Sequence, residues 1–166
     1  MISKPLQSKT NLDDKIDEYR QKMVNLIANS EEIFNLIATE DQTYGEDDLV
    51  WTNIYPTEFV AETQEVAKTF VCVDIDADSK EYNNTFDSMT VYFFISTHVN
   101  TMKNPHGKGL RVDAIAHEIR KMIDRQFVDK LGTNKCSFLY NHRYNPNMVF
   151  RGRVLCMQFN DFKIGV

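Results

Sequence analysis

The sequence predicts an α+β protein: one mainly antiparallel sheet of about five strands with helices packed on it. The stretch from Met89 to Val99 is dense in β-branched and aromatic residues, which is typical of a buried strand. From Leu110 to Phe127 the apolar residues recur at intervals of three and four, which predicts a helix with one buried face. Short polar turns join most of the other predicted strands, and such turns favour antiparallel pairing.

Two helices are predicted before the first strand. Apolar residues follow a helical spacing that is interrupted where Asn29 precedes Glu32 by three residues, a pattern that matches a capping box. We therefore expect helices at Asp13–Ala28 and Ser30–Ala38, with Asn29 as the N-cap of the second.

Five strands complete the expected order α-α-β-β-β-α-β-β, three before the long helix and two after it. The first is Leu49–Tyr55, a short strand or extended segment. The others are Thr69–Asp76, Met89–Val99, Ser137–Tyr144 and Val149–Ile164. In the second strand, Val71, Val73 and Ile75 alternate with Cys72, Asp74 and Asp76, so that one side is apolar and the other charged. Gly152 in the last strand is predicted to mark a β-bulge.

The length and net charge of the chain limit the number of domains and the classes of partner that we expect. A chain of 166 residues is expected to form one domain over residues 1–166, with polar residues 1–10 as a mobile arm. The net charge of −5 argues against sequence-independent binding of nucleic acid, which needs a basic surface. No apolar run approaches the roughly 18 residues of a membrane span, and the N-terminus lacks the apolar core of a signal peptide. We therefore expect no membrane contact.

The cysteines Cys72, Cys136 and Cys156 are odd in number and far apart. Such a pattern does not predict a disulfide framework and fits a reducing compartment. Because two of them fall in predicted strands, we expect them to act as small buried hydrophobic residues.

The histidines do not form a metal-binding signature. They are His98, His106, His117 and His142, and they are widely dispersed in the chain. His117-Glu118 superficially matches a metalloprotease helix, but Lys121 stands where the second histidine is required.

Two loops match ligand-binding motifs only loosely. Residues 105–109 (PHGKG) lack the Gly-Lys-Ser/Thr ending of a phosphate-binding loop. Residues 39–48 are acidic and could hold a hard cation, but they lack the spacing of a calcium loop and are expected to be a solvated loop. The sequence therefore predicts no catalytic residue, no cofactor and no metal site, and we expect a protein that is not an enzyme.

Six charged residues are candidates for contacts between subunits: Asp74, Asp76, Arg111, Asp113, Arg151 and Arg153. The first two give one strand an acidic face, and the last two share one side of another strand, near Arg143. These faces could complement each other between copies, or each could simply be solvated. At the start of the long helix, the alternatives are a favourable contact of Asp113 with the helix N-terminus and a local ion pair of Arg111.

Three ordered segments carry a family resemblance. They are the helix pair within Val24–Ile37, the stretch Asn53–Pro56 followed by Thr63-Gln64, and the strand end Phe94–Val99 followed by Gly109–Asp113. In this order the chain resembles the neck and tail-completion proteins of tailed bacteriophages, in particular the tail terminator and head–tail joining group. The resemblance covers nearly the whole chain, and the expected order of helices and strands agrees with that fold.

The resemblance implies a structural virion protein of the phage neck. Members of the group form rings, commonly hexameric, that stop polymerisation of the tail tube and provide the docking surface for the head. The implied partners are further copies of this chain, a tail tube protein and a head-side neck protein, with passing contact to phage DNA in the ring lumen. The implied location is the virion, assembled in the bacterial cytoplasm. The alternatives are a head-completion or adaptor subunit that binds the portal, and a small intracellular enzyme or ligand-binding domain.

Overall fold

The computed structural model describes residues 12–38, 49–58, 67–78, 86–126, 128, 132 and 135–162. Its helices are α1 (Leu12–Ala28), α2 (Glu31–Ile37) and α3 (Arg111–Ile123). Its strands are β1 (Ile54–Tyr55), β2 (Thr69–Asp78), β3 (Phe86–His98), β4 (Ser137–Tyr144) and β5 (Phe150–Phe162). The predicted α+β class and the order of the elements are confirmed. None of the described helices is long and apolar enough to cross a membrane.

The strands form one sheet in the order β1-β2-β3-β5-β4. Pairing is antiparallel from β2 through β4, as predicted, and parallel between β1 and β2. The predicted first strand, Leu49–Tyr55, is wrong over most of its length. The carbonyl oxygen of Leu49 accepts hydrogen bonds from the N–H groups of Thr52, Asn53 and Ile54, so this segment turns instead of extending.

The hydrophobic core lies between one face of the sheet and all three helices. Val71, Val73 and Ile75 of β2 point into it, which confirms the predicted alternation of that strand. The other strands and the helices contribute buried residues that include Val91, Phe93, Ile95, Leu155, Met157, Met23, Ile27, Ile115, Ile119 and Ile123. The predicted packing of the long helix across the sheet is therefore present.

The start of α2 differs from the prediction by one residue. Ser30, not Asn29, is the N-cap: its backbone is extended and its hydroxyl oxygen accepts a hydrogen bond from the N–H of Ile33. Asn29 instead closes the last turn of α1, where its N–H donates to the carbonyl oxygen of Asn25. Glu32 accepts a hydrogen bond from the Ser30 hydroxyl.

The long helix is shorter than predicted. α3 begins at Arg111, with Leu110 as its N-cap, and ends at Ile123, whereas Phe127, the predicted last residue, lies outside the described residues. After Asp124 the backbone of Arg125 takes a positive φ of 58°. The N–H of Arg125 then donates to the carbonyl oxygen of Cys136, and the N–H of Cys136 donates to that of Gln126. The chain thus leaves the helix to pair with the approach to β4.

Gly152 does not mark a bulge. It pairs regularly with Ser96 on β3 and with Tyr144 on β4. A Cβ atom at this position would lie 1.9 Å from the carbonyl oxygen of Ile95, so the close approach of β3 and β5 requires glycine. The irregularity of the sheet lies instead in β4, between Phe138 and Tyr140.

Replacing Ile119 with alanine should lower the free energy of unfolding by about 2–5 kcal/mol, because its side chain is fully buried between α3 and the sheet. Chemical denaturation measures this change. Leu139→Ala is the control, since Leu139 is 46% exposed and should shift the value by less than about 0.5 kcal/mol. Equal effects of the two substitutions would contradict the position of the core.

Gly152→Ala should lower the free energy of unfolding by about 1–3 kcal/mol or more, because the backbones of β3 and β5 must separate to admit a methyl group. Thermal unfolding of the purified variant measures the loss. Gly107→Ala is the matched control: its new Cβ would meet only the Asn104 side chain, at an ordinary 3.5 Å. A Gly152→Ala variant as stable as this control would show that β3 and β5 are not so close.

Candidate subunit interface

The acidic candidates lie on β2, past the two residues that β1 pairs with. Asp74 and Asp76 lie on the side of the sheet that the helices leave uncovered, as their alternation with Val73 and Ile75 requires. Asp74 accepts a hydrogen bond of 2.9 Å from Arg20 of α1. Asp76 is exposed. Of the two carboxylates, Asp76 is therefore the one that faces solvent most openly.

The basic candidates lie on the opposite side of the sheet, beside the start of α3. Arg151 and Arg153 share this side of β5, as predicted. Arg153 donates from Nε to a carboxylate oxygen of Asp113 at 2.6 Å, and this ion pair ties α3 to β5. Arg151 donates from Nη1 to the carbonyl oxygens of Asn147 and Phe150, each at 2.9 Å. Both arginines thus have partners within the chain.

Arg111 does not form the expected local ion pair. Its side chain is buried, and its Nη1 donates a long hydrogen bond of 3.5 Å to the hydroxyl of Thr69. Among the described residues, Nε of Arg111 has no hydrogen-bond partner. Burial lowers the pKa of this guanidinium. Arg111 is therefore a poor candidate for contact with another subunit.

Asp113 lies in the first turn of α3, where a carboxylate is favoured by the helix N-terminus. This placement confirms the sequence interpretation of its position. Its ion pair with Arg153 adds a role that the sequence did not predict, because the two residues are 40 positions apart.

Three arginines converge at this end of the sheet. Arg143 of β4 lies opposite Arg153 in the β4–β5 register, so two like charges face each other. With Arg151 they line a cavity of about 330 Å³, which we call the arginine cavity. Its apolar wall includes Leu110 and Val112 from the start of α3.

Sequence reasoning placed Arg143 in the basic group but not among the candidate residues. Arg143 is exposed, and among the described residues its side chain has no hydrogen bond or ion pair. Its position opposite Arg153 depends on the register of the hairpin. A sequence signal for the cavity did exist, namely arginines on both sides of one predicted turn, but that signal does not say which residues face each other.

A second cavity, of about 430 Å³, lies between α2, α3 and the loop before α3. Glu32, His106, His117 and Glu118 are on its wall. A ring nitrogen of His106 lies 2.9 Å from the carbonyl oxygen of Asn35. In the part of the chain that the structure describes, no group of three or more histidine, cysteine or acidic residues is close enough to hold a metal ion.

The three cysteines are buried, as expected from the sequence, and none of them forms a disulfide within the described residues. Burial raises the pKa of the Cys136 thiol to about 12 and also raises the pKa of Cys156. A thiol with a raised pKa carries little thiolate and is a weak nucleophile.

The sheet face opposite the helices carries an aromatic group that the sequence reasoning did not single out. The ring of Tyr144 lies 5.3 Å from that of Phe94, and its hydroxyl donates to the carboxylate of Glu58 at 2.6 Å. Tyr92 stacks on Phe94 at 6.1 Å. Tyr144 is the cross-strand neighbour of Gly152, which has no side chain of its own on this face. Burial is the main cause that raises the pKa of Tyr144.

The fold and the site together define a one-sheet α+β protein with an arginine cavity at one end and an exposed carboxylate on a far strand. The YomW family model matches residues 21–159, so the chain belongs to the YomW family. The name of this family is derived from a phage protein, and the match therefore indicates that the chain is a phage-related protein. No curated protein and no solved structure gives a significant match. The phage part of the resemblance is thus supported, whereas the neck assignment stays a prediction.

Replacing Arg111 with methionine should leave the free energy of unfolding unchanged or raise it by about 1–4 kcal/mol. Arg111 is a buried charge with no carboxylate partner among the described residues, and burying such a charge costs desolvation free energy. Arg153→Met is the control and should lower it by up to about 1 kcal/mol, since it removes a partly exposed ion pair. Urea denaturation compares the two variants. A large loss for Arg111→Met alone would mean that this guanidinium has a stabilising partner.

Proposed function

We propose that this protein is a structural component of the phage neck, which forms a closed ring that caps the tail tube and joins it to the head. The observation that carries the proposal is the separation of charge across the sheet: Asp76 is exposed on β2, and Arg143 is exposed on β4 at the other edge. Membership of the YomW family, with its phage-derived name, supports a phage setting. The ordered resemblance to tail terminators supports the neck in particular.

A ring needs a contact between two different surfaces of each copy, repeated until it closes. In this sheet β4 is one edge strand, and beyond Cys72 the outer side of β2 has no described partner strand. A basic group near one edge and an acidic group near the other would attract in a head-to-tail arrangement and repel in a head-to-head one. Charge therefore favours the kind of contact that closes a ring.

The chemistry of the described side chains favours a role without catalysis. The thiols are buried, and burial raises the pKa of Cys136 and Cys156. The titratable groups around the second cavity lack a set that could bind a metal within the described residues.

The neighbours in the virion would be the tail tube protein on one side and a head-side neck protein on the other, with phage DNA passing through the lumen.

Deletion of the gene from its phage tests the proposal directly. We expect full heads and separate tails that do not join, with tails longer than those of the parent phage, because nothing stops tube polymerisation. Electron microscopy of the lysate measures tail length and the fraction of joined particles. The parental gene supplied in trans should restore both. Deletion lysates with joined particles and normal tails would contradict the neck assignment.

The same complementation assay tests the acidic surface. Asp76→Lys should leave the monomer folded, since exposed charge changes alter stability by less than about 0.5 kcal/mol, but should reduce joined particles. Glu31→Lys is the matched control, an equal change of charge at an exposed position on α2. Equal complementation by the two variants would remove Asp76 from the interface.

The gene deletion also tests the alternative function. Tails of normal length with unjoined heads in the deletion lysate would favour a head-completion or adaptor protein.

A further inference from the structure

The arginine cavity has an excess of positive charge in a chain whose net charge is −5. Arg143, Arg151 and Arg153 line it, and Asp113 is the one carboxylate that contacts them within the described residues. The guanidinium of Arg151 donates hydrogen bonds to backbone carbonyl oxygens, which carry no net charge and therefore do not neutralise it. Arg143 is exposed. Two of the three guanidinium charges are therefore not balanced by a described acidic group.

The register of the β4–β5 hairpin makes this excess of positive charge destabilising. Directly opposed like charges on adjacent strands destabilise a sheet, and Arg143 opposes Arg153. A carboxylate placed between the guanidinium groups would relieve the repulsion and accept charge-assisted hydrogen bonds from them. The geometry of β4 and β5 thus favours an anionic ligand.

The remainder of the wall indicates what kind of ligand fits. Met102, Leu110 and Val112 add apolar surface beside the arginines, and Leu110 is 39% exposed. A small inorganic anion would leave this surface in water, whereas a polypeptide that carries both carboxylates and an apolar side chain would cover it. The cavity therefore suits an acidic peptide segment with an aromatic or aliphatic residue.

The chain itself contains such a segment. Residues 40–48 read EDQTYGEDD and carry two acidic groups, at 40–41 and at 46–48, with Tyr44 between them and no basic residue. This segment lies outside the described residues. Its composition complements both the arginines and the apolar wall.

We propose that the arginine cavity receives the acidic segment 40–48 of a second copy of this chain. The inference rests on the proposed ring, because a head-to-tail contact needs two different surfaces on every copy, and the cavity and the segment are such a pair. Arg143 and Arg151 bind the carboxylates, and the apolar wall covers Tyr44. Salt weakens the contact because it screens charges at a partly exposed site.

Two variants and their mixture test the proposal. The cavity variant is Arg143→Glu, and the segment variant combines Glu46→Lys with Asp47→Lys. Each alone should weaken self-association about tenfold or more, whereas an equimolar mixture should recover it, because copies then alternate with matched charges at every contact. Native mass spectrometry and sedimentation velocity measure the assembled mass. Circular dichroism verifies that each variant is folded.

Lys103→Glu is the matched control, an equal change of charge at an exposed residue of the loop beside the cavity. It should assemble like the parent protein. Two outcomes would overturn the proposal. One is an Arg143→Glu variant that assembles like the parent protein. The other is a mixture that stays dissociated while a chain that carries all three changes assembles. In the latter case the contact is within one chain. Neither outcome alters the tail length or head joining seen on gene deletion, so the neck function is tested separately.

Discussion

The pairing of β3 with β5 is the constraint on which the remainder of the structure depends. It runs from Phe86 opposite Phe162 to His98 opposite Phe150 and forms the centre of the sheet. The three helices and one face of this sheet share a single hydrophobic core. Gly152 allows the two backbones to approach beside Ile95, where any side chain would collide with a carbonyl oxygen. Arg153, next to this glycine in β5, forms its ion pair with Asp113 of α3.

The candidate interface follows from that geometry. The hairpin of β4 and β5 brings Arg143 opposite Arg153, and the ion pair of Arg153 with Asp113 joins this hairpin to the helix. Buried polar groups lie next to it: the hydroxyls of Thr69 and Thr97 are 2.9 Å apart, beside the guanidinium of Arg111.

Periodicity predicted most of the architecture, but not the turn that replaces most of the predicted first strand. The alternation along β2 and the helical spacing of α3 are local properties of the sequence. The alternation predicted the buried face of β2, and the helical spacing predicted the burial of Ile115, Ile119 and Ile123, whereas Leu110, assigned to the same face, is 39% exposed. The end of α3 was not predictable, because the backbone of Arg125 turns away to pair with Cys136, a contact between segments of the chain. The cavity was not predictable either. The facing of Arg143 and Arg153 depends on a register that turn composition alone does not determine.

The most direct test of the account is the position of this protein in the phage particle. Labelling the chain in intact virions and imaging them by electron microscopy locates it without any assumption about its fold. The account predicts a label confined to the junction of head and tail, with several copies arranged around the tail axis. A label distributed along the tail tube, located inside the head, or absent from purified particles would contradict the assignment to the neck.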